Sequence, residues 1–222
     1  MVTEPMRPIL GLAAATLAAA VLFLGFPALD LAVSHEVSLG GRRFLLSDVP
    51  AARAVNAAMP WVVGTTVAAI LLAAAVVALR RRPFRGLDGR RVAFLVLSFA
   101  TGPGLLVNLL LKEYWGRARP NDIVDFGGTA LFTPALLPAD QCPTNCSFVS
   151  GDVAIAFAYV ALALVLPLRW RPLGVAAALA LGTGIAALRV LQGAHFLSDV
   201  VFAALFTLLP IAVFAQLLLH PR

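Results

Sequence analysis

The sequence predicts an all-α fold, a polytopic membrane protein built as a bundle of six transmembrane helices. The chain of 222 residues is 61% hydrophobic and only 13% charged, whereas soluble domains are about 45–50% apolar and about 25% charged. Six stretches are also apolar enough, over about 20 residues, to cross a bilayer. No segment has the composition of a separate soluble domain, so we predict one domain over residues 1–222.

The apolar runs place the predicted spans at residues 9–29, 60–79, 92–111, 150–168, 173–188 and 196–219. The fourth and fifth runs are short. The first run resembles a signal peptide, but it is long for the hydrophobic part of one, and Arg7 is its only basic flank. We therefore predict that it is retained as a span.

Arginines predict the orientation of the bundle. They crowd the link between spans two and three (Arg80, Arg81, Arg82, Arg85, Arg90 and Arg91) and recur between spans four and five (Arg169 and Arg171). Basic loops stay in the cytoplasm, which predicts that both termini lie inside. Loops 30–59, 112–149 and 189–195 then lie outside. The net charge of +6 fits anionic lipid headgroups and gives no indication of nucleic acid binding.

Two cysteines, Cys142 and Cys146, lie in the second outer loop. Cysteine pairs outside the cytoplasm tend to oxidise, but the short CPTNC loop restricts the geometry that a disulfide needs. The sequence therefore leaves open whether Cys142 and Cys146 form a disulfide or remain two free thiols. Two thiols without a nearby histidine argue against a metal site.

Polar residues at the ends of spans are costly and need a partner or a function. Most of them fall in three stretches: KEYWGRARP after span three, SGD opening span four, and RVLQGAHFLSD between spans five and six. With the termini inside, all three stretches lie at the outer face. This agreement predicts one site there.

The residue types in these stretches predict binding of an anion. Arginine forks match phosphate oxygens in pairs and lysine acts as a point charge, and Lys112, Arg119 and Arg189 supply three cations. Lys112 is the only lysine among 17 basic residues. Ser150 and Gly151 open a helix, whose free N–H groups and dipole favour an anion.

His195 and Asp199 are four residues apart and share one helix face. A carboxylate bonded to one ring nitrogen fixes the tautomer and frees the other nitrogen to attack, which makes His195 a candidate nucleophile through a phosphohistidine. Taken alone, His195 and Asp199 could form an ordinary hydrogen bond at the start of a helix. Taken alone, Lys112 and Arg189 could be cations whose side chains extend to the membrane surface.

Together the three stretches resemble the type 2 phosphatidic acid phosphatase (PAP2) superfamily, whose pattern is Lys-x6-Arg-Pro, Ser-Gly-His and Ser-Arg-x5-His-x3-Asp. The first motif matches in full from Lys112 to Pro120. In the second, Asp152 replaces the histidine, and in the third, Leu188 replaces the serine. The resemblance covers about residues 92–222. Spans one and two resemble the family only in being apolar membrane spans.

The resemblance implies a phosphatase that uses neither metal nor cofactor. It assigns binding of the phosphoryl oxygens to Lys112, Arg119, Ser150, Gly151 and Arg189, nucleophilic attack to His195, and orientation of His195 to Asp199. Its substrate would be a phosphorylated membrane lipid. The stretches GRARP, FGGTALFTP and CPTNCSFVSGD are similar to bacterial PAP2 proteins of the lipid A 1-phosphatase type. This likeness implies a bacterial inner-membrane protein whose active site faces the periplasm. Undecaprenyl diphosphate, phosphatidylglycerol phosphate and phosphatidic acid remain alternative substrates.

Other functions explain these sequence features less well. A phosphotransferase between lipids would share the site and stays open. A transporter would need polar groups near the bilayer midplane, where Thr101, Asn108 and Gln216 form no matching set, and a purely structural membrane protein would not need the three motifs. The oligomeric state is left open.

Asp152 has two interpretations. Aspartate is normally ionised at neutral pH and donates protons poorly, so one hypothesis is that bound substrate makes it an acid for the leaving oxygen. The other is that the substrate carries a good leaving group, as an anomeric sugar phosphate or a diphosphate does.

Overall fold

The computed structural model describes residues 6–84 and 86–220, so Arg85, one of the predicted cytoplasmic arginines, lies outside the described residues. The helices are α1 (Arg7–Gly25), α2 (Ala28–Val37), α3 (Pro50–Arg80), α4 (Gly89–Phe99), α5 (Lys112–Tyr114), α6 (Gly151–Leu164), α7 (Arg171–Leu191) and α8 (Leu197–Leu218). A π-helical segment, Ala100–Leu111, joins α4 to α5. The all-α prediction is confirmed.

Among the described residues, five helices are long and apolar enough to cross a membrane: Arg7–Gly25, Pro50–Arg80, Gly89–Tyr114, Arg171–Leu191 and Leu197–Leu218. The fourth predicted span is the 14-residue helix α6, which at about 1.5 Å per residue is shorter than a hydrocarbon core of about 30 Å. Most of its residues are buried, because it packs against α4, α7, α8 and the π-helical segment. It is the central helix of the bundle.

The predicted outer loop 30–59 contains regular secondary structure. It holds α2 and a short antiparallel pair of strands, β1 (Ser38–Gly40) and β2 (Arg43–Phe44). Helix α3 begins at Pro50 rather than near residue 60, since proline is tolerated in a first helical turn. The prediction started the span at Pro60, where the unbroken apolar run begins, but the helix continues through that proline.

The π-helical segment follows from its sequence. Proline has no N–H group and clashes with the preceding turn, and Pro103 lies inside the segment between two glycines. Asn108 Nδ2 donates to the Pro103 carbonyl at 2.7 Å. Wider helical turns of this kind occur frequently at functional sites, and this one turns Asn108 towards the start of α6.

Aromatic residues attach the outer segments to the bundle. Phe44 of β2 and Phe126 of loop 112–149 form an edge-on ring pair at 5.4 Å, and both belong to a buried cluster with Phe196. Phe196 immediately precedes α8. The cluster therefore fixes the hairpin and the long loop next to the α7–α8 connection.

Candidate phosphate-binding site

The structure brings the predicted site residues together from four parts of the chain. Lys112 follows the π-helical segment, Ser150 and Gly151 begin α6, Arg189 lies in the last turn of α7, and His195 and Asp199 flank the start of α8. Lys112 is close enough to Arg119, Asp152 and Arg189 to interact with them electrostatically. The predicted site residues therefore form one cluster.

Gly151 lies directly against the lysine. A Cβ atom added at this position would be 3.3 Å from Lys112 Nζ and 2.6 Å from Asn108 Oδ1. The ammonium group thus sits at the N-terminus of α6, where free N–H groups already favour an anion. The sequence places Asn108 in the middle of a span, and the structure adds its side chain to the site.

Replacing Gly151 with alanine is expected to lower kcat/KM for phosphate release by about 10-fold or more, because the methyl group displaces Lys112 and Asn108 from the helix start. Phosphate release by the purified variant measures this. Gly184→Ala is the matched control, since nothing lies within 4 Å of a Cβ there. Equal activity of the two variants would contradict a close contact of ligand and backbone at Gly151.

Ser150 has an unsatisfied hydroxyl. Its side chain is fully buried, and its Oγ has no hydrogen-bond partner among the residues described. Its backbone N–H donates to the Asp199 carbonyl at 3.4 Å. Buried polar atoms are normally paired, so this hydroxyl is available to donate to a ligand at the start of α6.

Asp152 pairs with one of the predicted phosphate ligands. Arg189 Nε lies 3.2 Å from Asp152 Oδ2, but Nε lacks a well-aligned hydrogen-bond partner within the described chain. Arg189 Nη1 donates to Gln192 Oε1 at 3.1 Å. The guanidinium is therefore positioned by two neighbours and keeps donor capacity for a ligand.

The ring of His195 is held by a backbone carbonyl. Its Nδ1 lies 2.8 Å from the Ser147 carbonyl oxygen, which can only accept, so the proton is on Nδ1 and Nε2 carries the free lone pair. Asp199 Oδ2 is 3.8 Å from Nδ1, too far for a hydrogen bond. The direct bond from Asp199 that the sequence predicted is thus replaced by the Ser147 carbonyl, with Asp199 adjacent.

Burial lowers the pKa of His195 from 6.5 to about 4. Asp199 opposes this shift, while Arg119 and Arg189 reinforce it. The imidazole is therefore neutral at pH 7 and its lone pair is available for attack.

We expect the His195 imidazole to stay neutral as the pH falls from 7 to 5 and to take up a proton only near pH 4. Protonation removes the lone pair, so phosphate release should be lost on the acid side near pH 4 rather than near 6.5. NMR of histidine-labelled protein measures the titration, with His195→Gln identifying its signal. A midpoint near 6.5 would contradict the buried, cation-flanked ring.

Arg119 is tied to the cysteine loop. Its Nη2 donates to the Asn145 carbonyl oxygen at 2.9 Å, and the structure joins Cys142 to Cys146 in a disulfide. The Cys146 N–H donates to the Lys112 carbonyl at 2.9 Å. The loop therefore contacts both the Arg119 side chain and the Lys112 backbone.

The sequence reasoning missed a buried charged group behind His195. Arg117, two residues before Arg119, is fully buried and pairs with both Asp30 and Asp199. The signal for it was Asp30, a lone carboxylate in the apolar stretch GFPALDLAV, because a carboxylate there needs a partner.

Fold and site together define a helical membrane protein in which cations, a helix N-terminus and a neutral histidine lie in one cluster. The chain belongs to the PAP2 superfamily, whose family model matches residues 91–220. This region contains all three motifs. No solved structure matches the chain.

The chain is also similar to curated proteins that are named lipid A phosphatases. A lipid A 4'-phosphatase of Francisella tularensis subsp. novicida is 38% identical over 118 residues, 53% of each chain. A lipid A 4'-phosphatase of Rhizobium leguminosarum is 44% identical over 117 residues, 53% of this chain and 49% of that protein. A lipid A 1-phosphatase of Rhizobium johnstonii is 40% identical over 117 residues, 51% of this chain and 44% of that protein. The chain spans about half the length of these relatives.

Proposed function

We propose that this protein is a membrane lipid phosphatase that hydrolyses a lipid phosphomonoester at the periplasmic face through a phosphohistidine. The observation that carries the proposal is the unpaired, buried hydroxyl of Ser150 at the start of α6. Cations and the neutral His195 lie around it. Such a group matches the charge and the oxygen atoms of a phosphoryl group.

The proposed reaction has two displacements. His195 Nε2 attacks phosphorus, and the bond from phosphorus to the lipid oxygen breaks with its electron pair on oxygen, which takes a proton from solvent. Water then attacks phosphorus and gives up a proton to solvent, and the phosphorus–nitrogen bond breaks with its electron pair on Nε2. Phosphate is released and neutral His195 is regenerated. Lys112, Arg119 and Arg189 offset the negative charge on the phosphoryl oxygens in both steps.

Lipid A is the substrate we propose, because relatives named lipid A 4'-phosphatase and lipid A 1-phosphatase match about half of this chain at 38% and 40% identity. A cavity of about 450 Å³ beside Asp152 supports a lipid leaving group. Met59, Val63 and Ile155 give it apolar walls, and Asn56 and Asn108 add amide groups that suit sugar hydroxyls.

The test is phosphate release by the purified protein from lipid A, undecaprenyl diphosphate, phosphatidylglycerol phosphate and phosphatidic acid, with a chelator present. We expect release from lipid A, and mass spectrometry of the product assigns the 1 or the 4' position. A labelled lipid acceptor separates hydrolysis from phosphotransfer. Activity abolished by the chelator, or unchanged in His195→Ala, would refute the mechanism.

Asp152→Asn is expected to keep activity within about 10-fold of the unsubstituted protein, because a carboxylate paired with Arg189 accepts hydrogen bonds and is a poor proton donor. Initial rates on the same lipid measure this. A loss as severe as that of His195→Ala would instead assign Asp152 the role of the acid for the leaving oxygen.

A further inference from the structure

Arg117 is the centre of a buried network that includes Asp199 and Asp30. Its Nη1 donates to Asp199 Oδ1 at 2.5 Å and to Ser198 Oγ at 2.8 Å, and its Nη2 donates to Asp30 Oδ2 at 2.9 Å. Nε donates to the Thr133 carbonyl at 2.8 Å. The guanidinium also stacks over the Phe196 ring at 4.3 Å.

The same network reaches the ring of His195. Asp199 uses its second oxygen, Oδ2, to accept from Ser147 Oγ at 2.5 Å and from the Phe196 N–H at 2.8 Å. The carbonyl of Ser147 is the partner of His195 Nδ1. An unbroken set of contacts therefore runs from Arg117 through Asp199 and Ser147 to the imidazole.

Asp30 anchors the other end of the network. Its Oδ1 accepts from the Ser198 N–H at 2.8 Å, and its Oδ2 accepts from Ser198 Oγ as well as from Arg117. Burial raises the pKa of Asp30, and the charge of Arg117 opposes this. Asp30 belongs to α2, outside residues 91–220 that match the family model, so the N-terminal part of the chain contributes to the site.

We propose that Arg117 and Asp30 are positioning residues for the phosphatase reaction, which hold Asp199, and through Ser147 the His195 ring, in the geometry needed for attack. The inference rests on the proposed function. A network that positions the nucleophile without touching the phosphate affects kcat and leaves KM unchanged.

Electrostatics adds a second consequence. Asp199, Arg119 and Arg189 are the charged groups that act on His195, and Arg117 offsets the charge of Asp199 from behind. Loss of that cation leaves Asp199 uncompensated, which favours the protonated imidazole. Arg117→Gln should therefore move the acid limb of the pH–rate profile upward by about one pH unit.

The experiment compares Arg117→Gln, Arg117→Lys and Asp30→Asn in the whole 222-residue chain, on a lipid that the unsubstituted protein hydrolyses. We expect kcat to fall about 100-fold in Arg117→Gln and about 10-fold in Asp30→Asn, with KM within about 2-fold, and partial rescue in Arg117→Lys. Thermal unfolding in detergent checks that each variant is folded.

A second arginine–aspartate pair provides the matched control. Arg42 and Asp122 also join the segment after α1 to the long loop, at 2.5 Å, but their side chains are 56% and 43% exposed, against 0% and 1% for Arg117 and Asp30. Exposed pairs contribute little, so Arg42→Gln should leave kcat within about 2-fold.

Folded Arg117 and Asp30 variants with unchanged kcat and an unshifted acid limb would overturn the inference. Unfolding of all three variants would overturn it too, since it would assign the network to stability alone. Failure of the proposed function is a different result: the unsubstituted protein releases no phosphate, or His195→Gln remains active.

Discussion

His195→Gln is expected to abolish phosphate release, with kcat lower by about 10³-fold or more, because the variant lacks the nucleophile on which both displacements depend. Glutamine still offers an N–H to the Ser147 carbonyl, so the fold around this buried position should be retained. Colorimetric phosphate detection with the purified protein in detergent measures the loss, and a thermal unfolding curve checks the fold.

The matched control is His35→Gln, a substitution of the same type at an exposed histidine that contacts the Phe126 ring. It should keep activity within about 2-fold. Residual activity of His195→Gln comparable to that of this control would exclude a phosphohistidine at His195.

Arg189→Gln is expected to lower kcat/KM by about 100-fold or more. The substitution removes a charge-assisted donor to the phosphoryl oxygens. It also removes the partner of the Asp152 carboxylate, which lies 3.2 Å from Arg189 Nε in the unsubstituted protein, and so leaves that carboxylate unpaired beside an anionic substrate. The second effect predicts that adding Asp152→Asn to Arg189→Gln recovers part of the loss.

Steady-state kinetics of the two single variants and the double variant measure this coupling. Arg169→Gln, at an exposed arginine just before the other end of α7, is the control and should be near neutral. A double variant no better than Arg189→Gln alone would show that Asp152 does not act through Arg189.

The sequence predicted the helical class correctly, and the residues that it assigned to the site lie close together in the structure. Apolar runs mark membrane helices strongly, because the bilayer leaves few alternatives for the backbone. Polar residues at span ends are rare, so Lys112, Arg189 and His195 could be singled out and assigned to one face. Their grouping depended only on the order of the spans.

The parts that the sequence did not predict depend on contacts between distant segments. Asp30 and Arg117 are far apart in the chain, and neither has a spacing that pairs them. The carbonyl of Ser147 carries no sequence signal, because every residue has one, yet it holds the His195 ring. Helix α2 was not predicted because residues 30–59 lie between two apolar runs and were taken as a loop that connects them.

The central claim is that one phosphoryl group binds among Lys112, Arg119, Ser150, Arg189 and His195. A structure of the protein with orthovanadate tests it most directly, because vanadate adopts the geometry of the phosphoryl group during transfer. We predict vanadium bonded to His195 Nε2, with its oxygens at hydrogen-bond distance from Lys112, Arg189 and the Ser150 hydroxyl. Vanadate bound elsewhere, or bound in this cluster without contact to His195, would contradict the account.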